Sequence, residues 1–182
     1  MASYIGIDLG TTFSAVSTID STGRPKIIEN DDDSNITPSC VSINKNQLIV
    51  GEQARRALQL PPHNAIGRFK REMGTDKIYE LDGNKYTPTD LSAAVLKEMK
   101  KIAENSINEI SECVVTVPAN FAHRAREATM EAAKKAGLDV KYIIDEPTAA
   151  ALYYAYNQKD SLSGYYAVYD LGGGTFDISI IK

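Results

Sequence analysis

The sequence predicts an α/β fold in which a mixed sheet is flanked by helices and carries a small α+β insertion. Three observations predict it. The first residues read as three strands joined by short turns, and from Thr87 onward helical and strand patterns alternate. Between them, residues 31 to 38, "DDDSNITP", are polar and end in proline, so one composition stops and another begins.

Residues 3 to 9, "SYIGIDL", form an apolar run that reaches an aspartate and leads into a glycine, as a buried strand entering a tight turn would. "TFSAVSTID", residues 12 to 20, alternates in polarity and stops at the turn "STGRP"; "KIIEN" supplies a third strand. Strands so closely connected make a meander.

Residues 37 to 86 read as the insertion. A hairpin from "SCVSI" to "QLIVG" is followed by a helix, "EQARRALQL", stopped by Pro61 and Pro62. "NAIGRFKREMGTD" shows no clear period, and Asp82-Gly83 marks a second hairpin.

At "TPTD", Thr87 is an N-cap, Pro88 the first helical residue and Asp90 the capping-box partner of a helix reaching about Ser106. "SECVVTVP" is a buried strand ended by Pro118. "AHRAREATMEAAKKAG" is a helix with Phe121, Ala125, Ala128, Ala132 and Ala136 on one face and Gly137 at its end. "LDVKYIID" is a strand, and "EPTAAALYYAYN" a helix with Pro147 at its first position. Strands that alternate with helices pair in parallel, which gives a ribonuclease-H-like topology. The predicted division is a main lobe from 1–36 and 87–159, an insertion at 37–86, and the first hairpin of a second lobe at 160–182.

Composition excludes several functions. Twenty Lys plus Arg are scattered against twenty-four Asp plus Glu, a net charge of −4, so no nucleic-acid surface is expected. Cys40, Cys113, His63 and His123 lie too far apart in sequence to suggest a zinc site, and the cysteines read as reduced thiols. No signal peptide or membrane span is recognisable, which leads to the expectation of a cytoplasmic protein without a membrane partner.

One phrase occurs twice. "GIDLGTTFSAVS" (6 to 17) and "VYDLGGGTFDIS" (168 to 179) each run from an apolar strand through Asp-Leu-Gly and small or hydroxylated residues to Phe and a second strand. Turns of this kind let consecutive backbone N–H groups face an anion, and a phosphate suits such a nest. The two aspartates, Asp8 and Asp170, stand at equivalent points. If symmetry puts them about 6 Å apart they repel by roughly 3 kcal/mol at a dielectric of about 20, and a divalent cation would relieve that repulsion. A nucleoside triphosphate site between two related lobes is the expectation. Neither "GxxxxGK[ST]" nor "GxGxxG" after a strand is present, so P-loop and dinucleotide sites are not supported.

"GIDLGTTFS", "VVTVPANF", "IIDEPTAAAL" and "VYDLGGGTFDIS" together resemble the nucleotide-binding domain of the seventy-kilodalton heat-shock chaperones, members of the actin-like ATPase superfamily, in consistent order from Tyr4 to Lys182. The resemblance implies ATP or ADP bound with Mg2+ and K+. Its phosphates would lie between Gly10, Thr11, Thr12 and Phe13 on one side and Gly172, Gly173, Gly174 and Thr175 on the other. Asp8 and Asp170 would hold magnesium through water, and Asp177 with Asp8 would help hold potassium.

"FKREMGTD" is similar to the segment bearing the family's catalytic lysine, which falls on Lys70; Glu146 of "DEP" would orient or activate water, and is expected to serve as an N-cap as well, since one residue can do both. Asp170 and Thr175 complete the implied catalytic set. Pro118 and Arg126 match the family's switch proline and relay arginine. Unfolded or hydrophobic peptides, a J-domain co-chaperone and a nucleotide-exchange factor would be the partners.

"NFAHR" (120 to 124) lacks the family's usual aromatic and polar-acidic pair, and Ala155 stands where a glycine commonly ends the helix. An actin-like filament ATPase or a small-metabolite kinase would share the two turns, but Lys70 and "IIDEPTAAAL" favour the chaperones. Ending after one hairpin of the second lobe, the chain is expected to be a fragment that binds nucleotide weakly or not at all.

Overall fold

The computed structural model describes residues 3–60, 64–107, 109–158, 163–173 and 176–182. Strands β1 (Ser3–Asp8), β2 (Phe13–Ile19) and β3 (Pro25–Ile27) form the antiparallel meander, with Ile5, Ile7 and Val16 turned into the core. The Asp20 carboxylate accepts hydrogen bonds from the backbone N–H groups of Thr22 and Arg24 at 2.8 and 3.0 Å, and these hold the β2–β3 turn. A short β4 (Thr37–Pro38) pairs with Phe13 and Ser14 of β2. The polar stretch before it conceals this strand, because its loop is organised by the side chain of Asn30, which accepts from the N–H groups of Asp32 and Ser34.

The insertion contains β5 (Cys40–Asn44), β6 (Gln47–Val50), α1 (Glu52–Ala57) and β7 (Ala65–Gly67), with β5 central in the order β6-β5-β7. Helix α1 stops at Ala57, ahead of the expected end; Pro61 and Pro62 lie outside the described residues. The unassigned stretch resolves into β7 and a 3-10 turn over Phe69–Glu72, entered through Arg68 at φ 60°. Strands β8 (Tyr79–Leu81) and β9 (Asn84–Tyr86) form the hairpin expected at Asp82-Gly83.

Gly74 follows the 3-10 turn at φ +78°, and a Cβ there would lie 2.7 Å from the backbone nitrogen of Ala125. Gly74→Ala therefore combines left-handed strain with a backbone collision, and is expected to cost about 3 kcal/mol. Gly23 has nearly the same φ, +79°, with nothing within 4 Å, so Gly23→Ala carries the strain alone, about 1 kcal/mol. Denaturant unfolding of both variants measures the difference; equal losses would contradict the close packing.

Helix α2 (Pro88–Ser106) begins with the expected capping box, since the Thr87 hydroxyl accepts from the Asp90 N–H at 3.1 Å and the Asp90 carboxylate accepts from the Thr87 N–H at 2.9 Å. Next come β10 (Ile110–Val117), α3 (His123–Lys135), β11 (Val140–Asp145), α4 (Glu146–Asn157), and the hairpin of β12 (Tyr166–Leu171) and β13 (Phe176–Ile181). The predicted α3 face is buried at Ala125, Ala128, Ala132 and Ala136. Helix α4 runs on past Ala155 to Asn157, so the missing glycine does not end it early.

β1, β10 and β11 pair in parallel, and the main sheet has the order β11-β10-β1-β2-β3. This is the mixed, ribonuclease-H-like sheet that the alternation implied, with helices against it. Leu91, Val95, Leu96 and Met99 of α2 pack with Ile5, Ile7, Cys113 and Val115 of the sheet in one core that also takes Val41 and Phe69 of the insertion. Cys40 and Cys113 are buried free thiols; burial pushes the Cys113 thiol up to about 12, so it stays protonated as an apolar core residue. Among the described residues, no helix is long and apolar enough to cross a membrane.

Candidate functional site

Both copies of the repeated phrase begin and end in strands. In the first, β1 delivers Asp8 at its last residue and the turn through Gly10 to Thr12 returns as β2. In the second, Asp170 lies one residue before the end of β12 and faces Asp177 of β13 directly across the hairpin. The turns converge on a cleft of about 960 Å3. Asp8, Gly10, Thr11, Thr12 and Phe13 line one side; Asp170, Gly172, Gly173 and Asp177 line the other. Gly174 and Thr175 lie outside the described residues.

The first turn needs its glycine. A Cβ on Gly10 would sit 2.0 Å from the carbonyl oxygen of Phe13, so no side chain fits inside the bend. The two turns also touch: the Thr12 hydroxyl donates to the carbonyl of Gly173 at 3.3 Å.

Lys70 and Glu146 enter the same cleft from elements far apart in sequence. Lys70 sits on the 3-10 turn, and its side chain is only 4% exposed. Its Nζ donates to Glu146 Oε1 at 2.5 Å and lies 5.7 Å from the centre of the Phe121 ring. Glu146 is the first residue of α4; the N-cap is Asp145, so the expectation of Glu146 as the cap is corrected, and Pro147 takes the second helical position instead of the first. The cause is that Asp145, at φ −69° and ψ 135°, already makes the extended-to-helical change, and a glutamate before proline is accommodated in the first turn.

Burial raises the pKa of Glu146 above the usual 4.5. The charge and hydrogen bond of Lys70 pull it down, Asp8 and Asp170 push it up again, and the balance is upward. The cleft floor is thus an acidic field in which the Lys70 ammonium is the nearest counter-charge to Glu146.

Pro118 follows the end of β10, and its carbonyl accepts from the Phe121 N–H at 3.1 Å. It lines the cleft, whereas Arg126 does not. Arg126 projects from α3 behind it, donating to Asp145 Oδ1 at 2.6 Å and to the carbonyls of Phe121 and Ala119 at 3.1 and 3.3 Å. It therefore ties the loop after Pro118 to the residue that caps α4, immediately before Glu146. Thr116, Asn120 and Phe121 also line the cleft and were missed from the sequence. The signal for Thr116 is the β1–β10 register, which brings residue 116 beside residue 8 and is not written in either strand alone.

Asp8, Asp170 and Asp177 are hard oxygen donors converging on one cleft, and two of them raise the pKa of a neighbouring carboxyl. The cleft is lined by more carboxylates than the Lys70 and Arg71 cations beside them, and that excess of negative charge fits a divalent cation. Among the described residues, no three His, Cys, Asp or Glu side chains approach closely enough to chelate a metal. Magnesium dehydrates reluctantly and keeps several waters, so spaced carboxylates fit it better than a closed cage would.

A family model described as Hsp70 protein matches residues 4–182.

Proposed function

The chain belongs to the Hsp70 family, and from that premise we propose that the cleft binds ATP and ADP by their phosphates and hydrolyses ATP. The observation that carries this reading is the convergence of both turns, Lys70 and Glu146 on one cleft. The family is one of chaperone ATPases, which agrees with a site built for phosphates and a water. The backbone N–H groups of Gly10 to Phe13 and of the Gly172 turn would cradle the phosphates, with the hydroxyls of Thr11 and Thr175 in contact with them.

Magnesium would be held by Asp8 and Asp170 through water, where it neutralises charge on the phosphate oxygens; Asp177 with Asp8 would hold potassium. Lys70 meets the negative charge of the transferring γ-phosphoryl group, in a reaction where positioning and charge supply most of the catalysis. Glu146 Oε1, which accepts from Lys70 in this structure, orients the attacking water and takes its proton once Lys70 turns to phosphate. Burial, which raises its pKa, makes it a stronger base than an exposed glutamate.

We assign Pro118 and Arg126 to the relay of nucleotide state, because Arg126 links the Pro118 loop to the cap of the Glu146 helix. In the whole protein this relay would govern binding and release of unfolded or hydrophobic peptides, assisted by a J-domain co-chaperone and a nucleotide-exchange factor.

The test is a single-turnover assay of the full-length protein with γ-labelled ATP and magnesium. The label is expected in inorganic phosphate, and chelating the magnesium should abolish its release. Label appearing on an alcohol or acid would show a kinase instead.

A further inference from the structure

We propose that Thr116 is a positioning residue for Asp8, its hydroxyl holding one carboxylate oxygen so that the other serves the water shell of the bound cation. The inference rests on the reading of the cleft as a magnesium–nucleotide site.

β1 and β10 are parallel neighbours with Ile7 opposite Val115, so the next residue on each strand, Asp8 and Thr116, stand side by side at the strand ends. On β10, Cys113, Val115 and Val117 are fully buried in the core. Thr116 belongs to the alternate set and lines the cleft with Asp8. Within "CVVTV" it is the single hydroxyl, at a position where valine would have the same branched shape.

That hydroxyl donates to Asp8 Oδ1 at 2.8 Å, a good length for a bond to a carboxylate. Two features make the contact directional. A β-branched side chain has few χ1 choices, so its hydroxyl is aimed in advance. The backbone beneath it is held on both sides, by β1 and by β11, where Thr116 pairs with Ile144. A carboxylate free to rotate would present either oxygen at any angle, whereas one with Oδ1 engaged offers Oδ2 in a fixed plane. Partners of this kind, one shell out from a metal, typically change metal affinity about 10- to 100-fold when removed.

The experiment is calorimetric titration of ADP into the full-length protein over a series of magnesium concentrations and in EDTA, with Thr116→Val, Thr116→Ser, Asp8→Asn and the double variant Asp8→Asn/Thr116→Val. Valine keeps the branched shape and suits a strand, so folding should persist. Thr116→Val is expected to raise the magnesium needed for half-maximal tightening about 10-fold while leaving the affinity in EDTA unchanged. Thr116→Ser should restore the natural requirement, and Thr116→Val should add nothing in the Asp8→Asn background.

An unchanged magnesium requirement in Thr116→Val overturns the proposal while leaving the nucleotide reading intact. Equal weakening with magnesium and in EDTA, or an additive effect in the Asp8→Asn background, overturns it in favour of a purely structural bond. If the natural chain shows no magnesium-dependent ADP binding, the proposal falls together with the reading beneath it.

Discussion

Lys70→Ala is expected to slow single-turnover ATP hydrolysis by about a thousandfold, the scale on which a charge that meets the transferring phosphoryl group acts. Glu146→Ala should lower the rate by about 10²- to 10⁴-fold through loss of the base. Neither variant should unfold the protein. Removing one member of a buried ion pair is usually severe, but in Lys70→Ala the surviving partner has a way out. Glu146 already has a raised pKa, and without Lys70 only burial, Asp8 and Asp170 act on it, all upward. It can take a proton and cease to be a buried charge.

This gives the Lys70→Ala variant a signed pH dependence. A carboxyl whose folded pKa lies above its unfolded value contributes stability below the unfolded value, and that contribution is lost as pH rises through the folded one. The deficit of Lys70→Ala relative to the natural chain should therefore be small near pH 4.5 and grow as pH rises. Denaturant unfolding across that range measures it. A deficit that grows toward acid would contradict the environment assigned to Glu146, and an unchanged single-turnover rate would refute the role of Lys70.

Gly10→Ala is expected to abolish nucleotide binding. The added Cβ would stand 2.0 Å from the Phe13 carbonyl oxygen, and because that atom is backbone, no rotamer change can relieve the overlap. The turn must open, and the N–H groups proposed to cradle phosphate move with it. Overpacking of this sort costs about 1–3 kcal/mol of stability, too little to unfold most domains but enough to remake a turn. Gly6→Ala, on the strand that leads into this turn, is the comparison: its Cβ would meet only the Ser17 side-chain oxygen, at 3.2 Å, so nucleotide affinity should survive. Equal affinity in both variants would mean that the Gly10 turn does not touch the phosphates.

Much of the site was legible because it is written as short local phrases. "GIDLGTTF" and "VYDLGGGTF" are each a strand end, a bend and a strand start, and the structure places both around one cleft. The capping box at Thr87 and the Asp82-Gly83 hairpin were legible for the same reason, since partners three residues or fewer apart leave a pattern in the chain. β4 and β7 were not. They are two and three residues long, and what makes them strands is an edge offered by β2 and β5, which no local period records. The left-handed Arg68 that sets up the Lys70 turn is likewise invisible, because arginine has no preference for that conformation. Thr116 and Arg126 show the limit most clearly. Thr116 reads as one more β-former until the parallel register sets it against Asp8, 108 residues away. Arg126 was found only through family resemblance, and its partner Asp145 only through the fold.

The central claim is that the two repeated turns are the two sides of one phosphate site. Its most direct measurement is a comparison of backbone amide NMR shifts in the full-length protein titrated with magnesium ATP and with adenosine. The account predicts that amides of residues 10–13 and 171–173 shift together with magnesium ATP and stay in place with adenosine, which has no phosphate. Shifts confined to one turn, or the same shifts with adenosine, would contradict it.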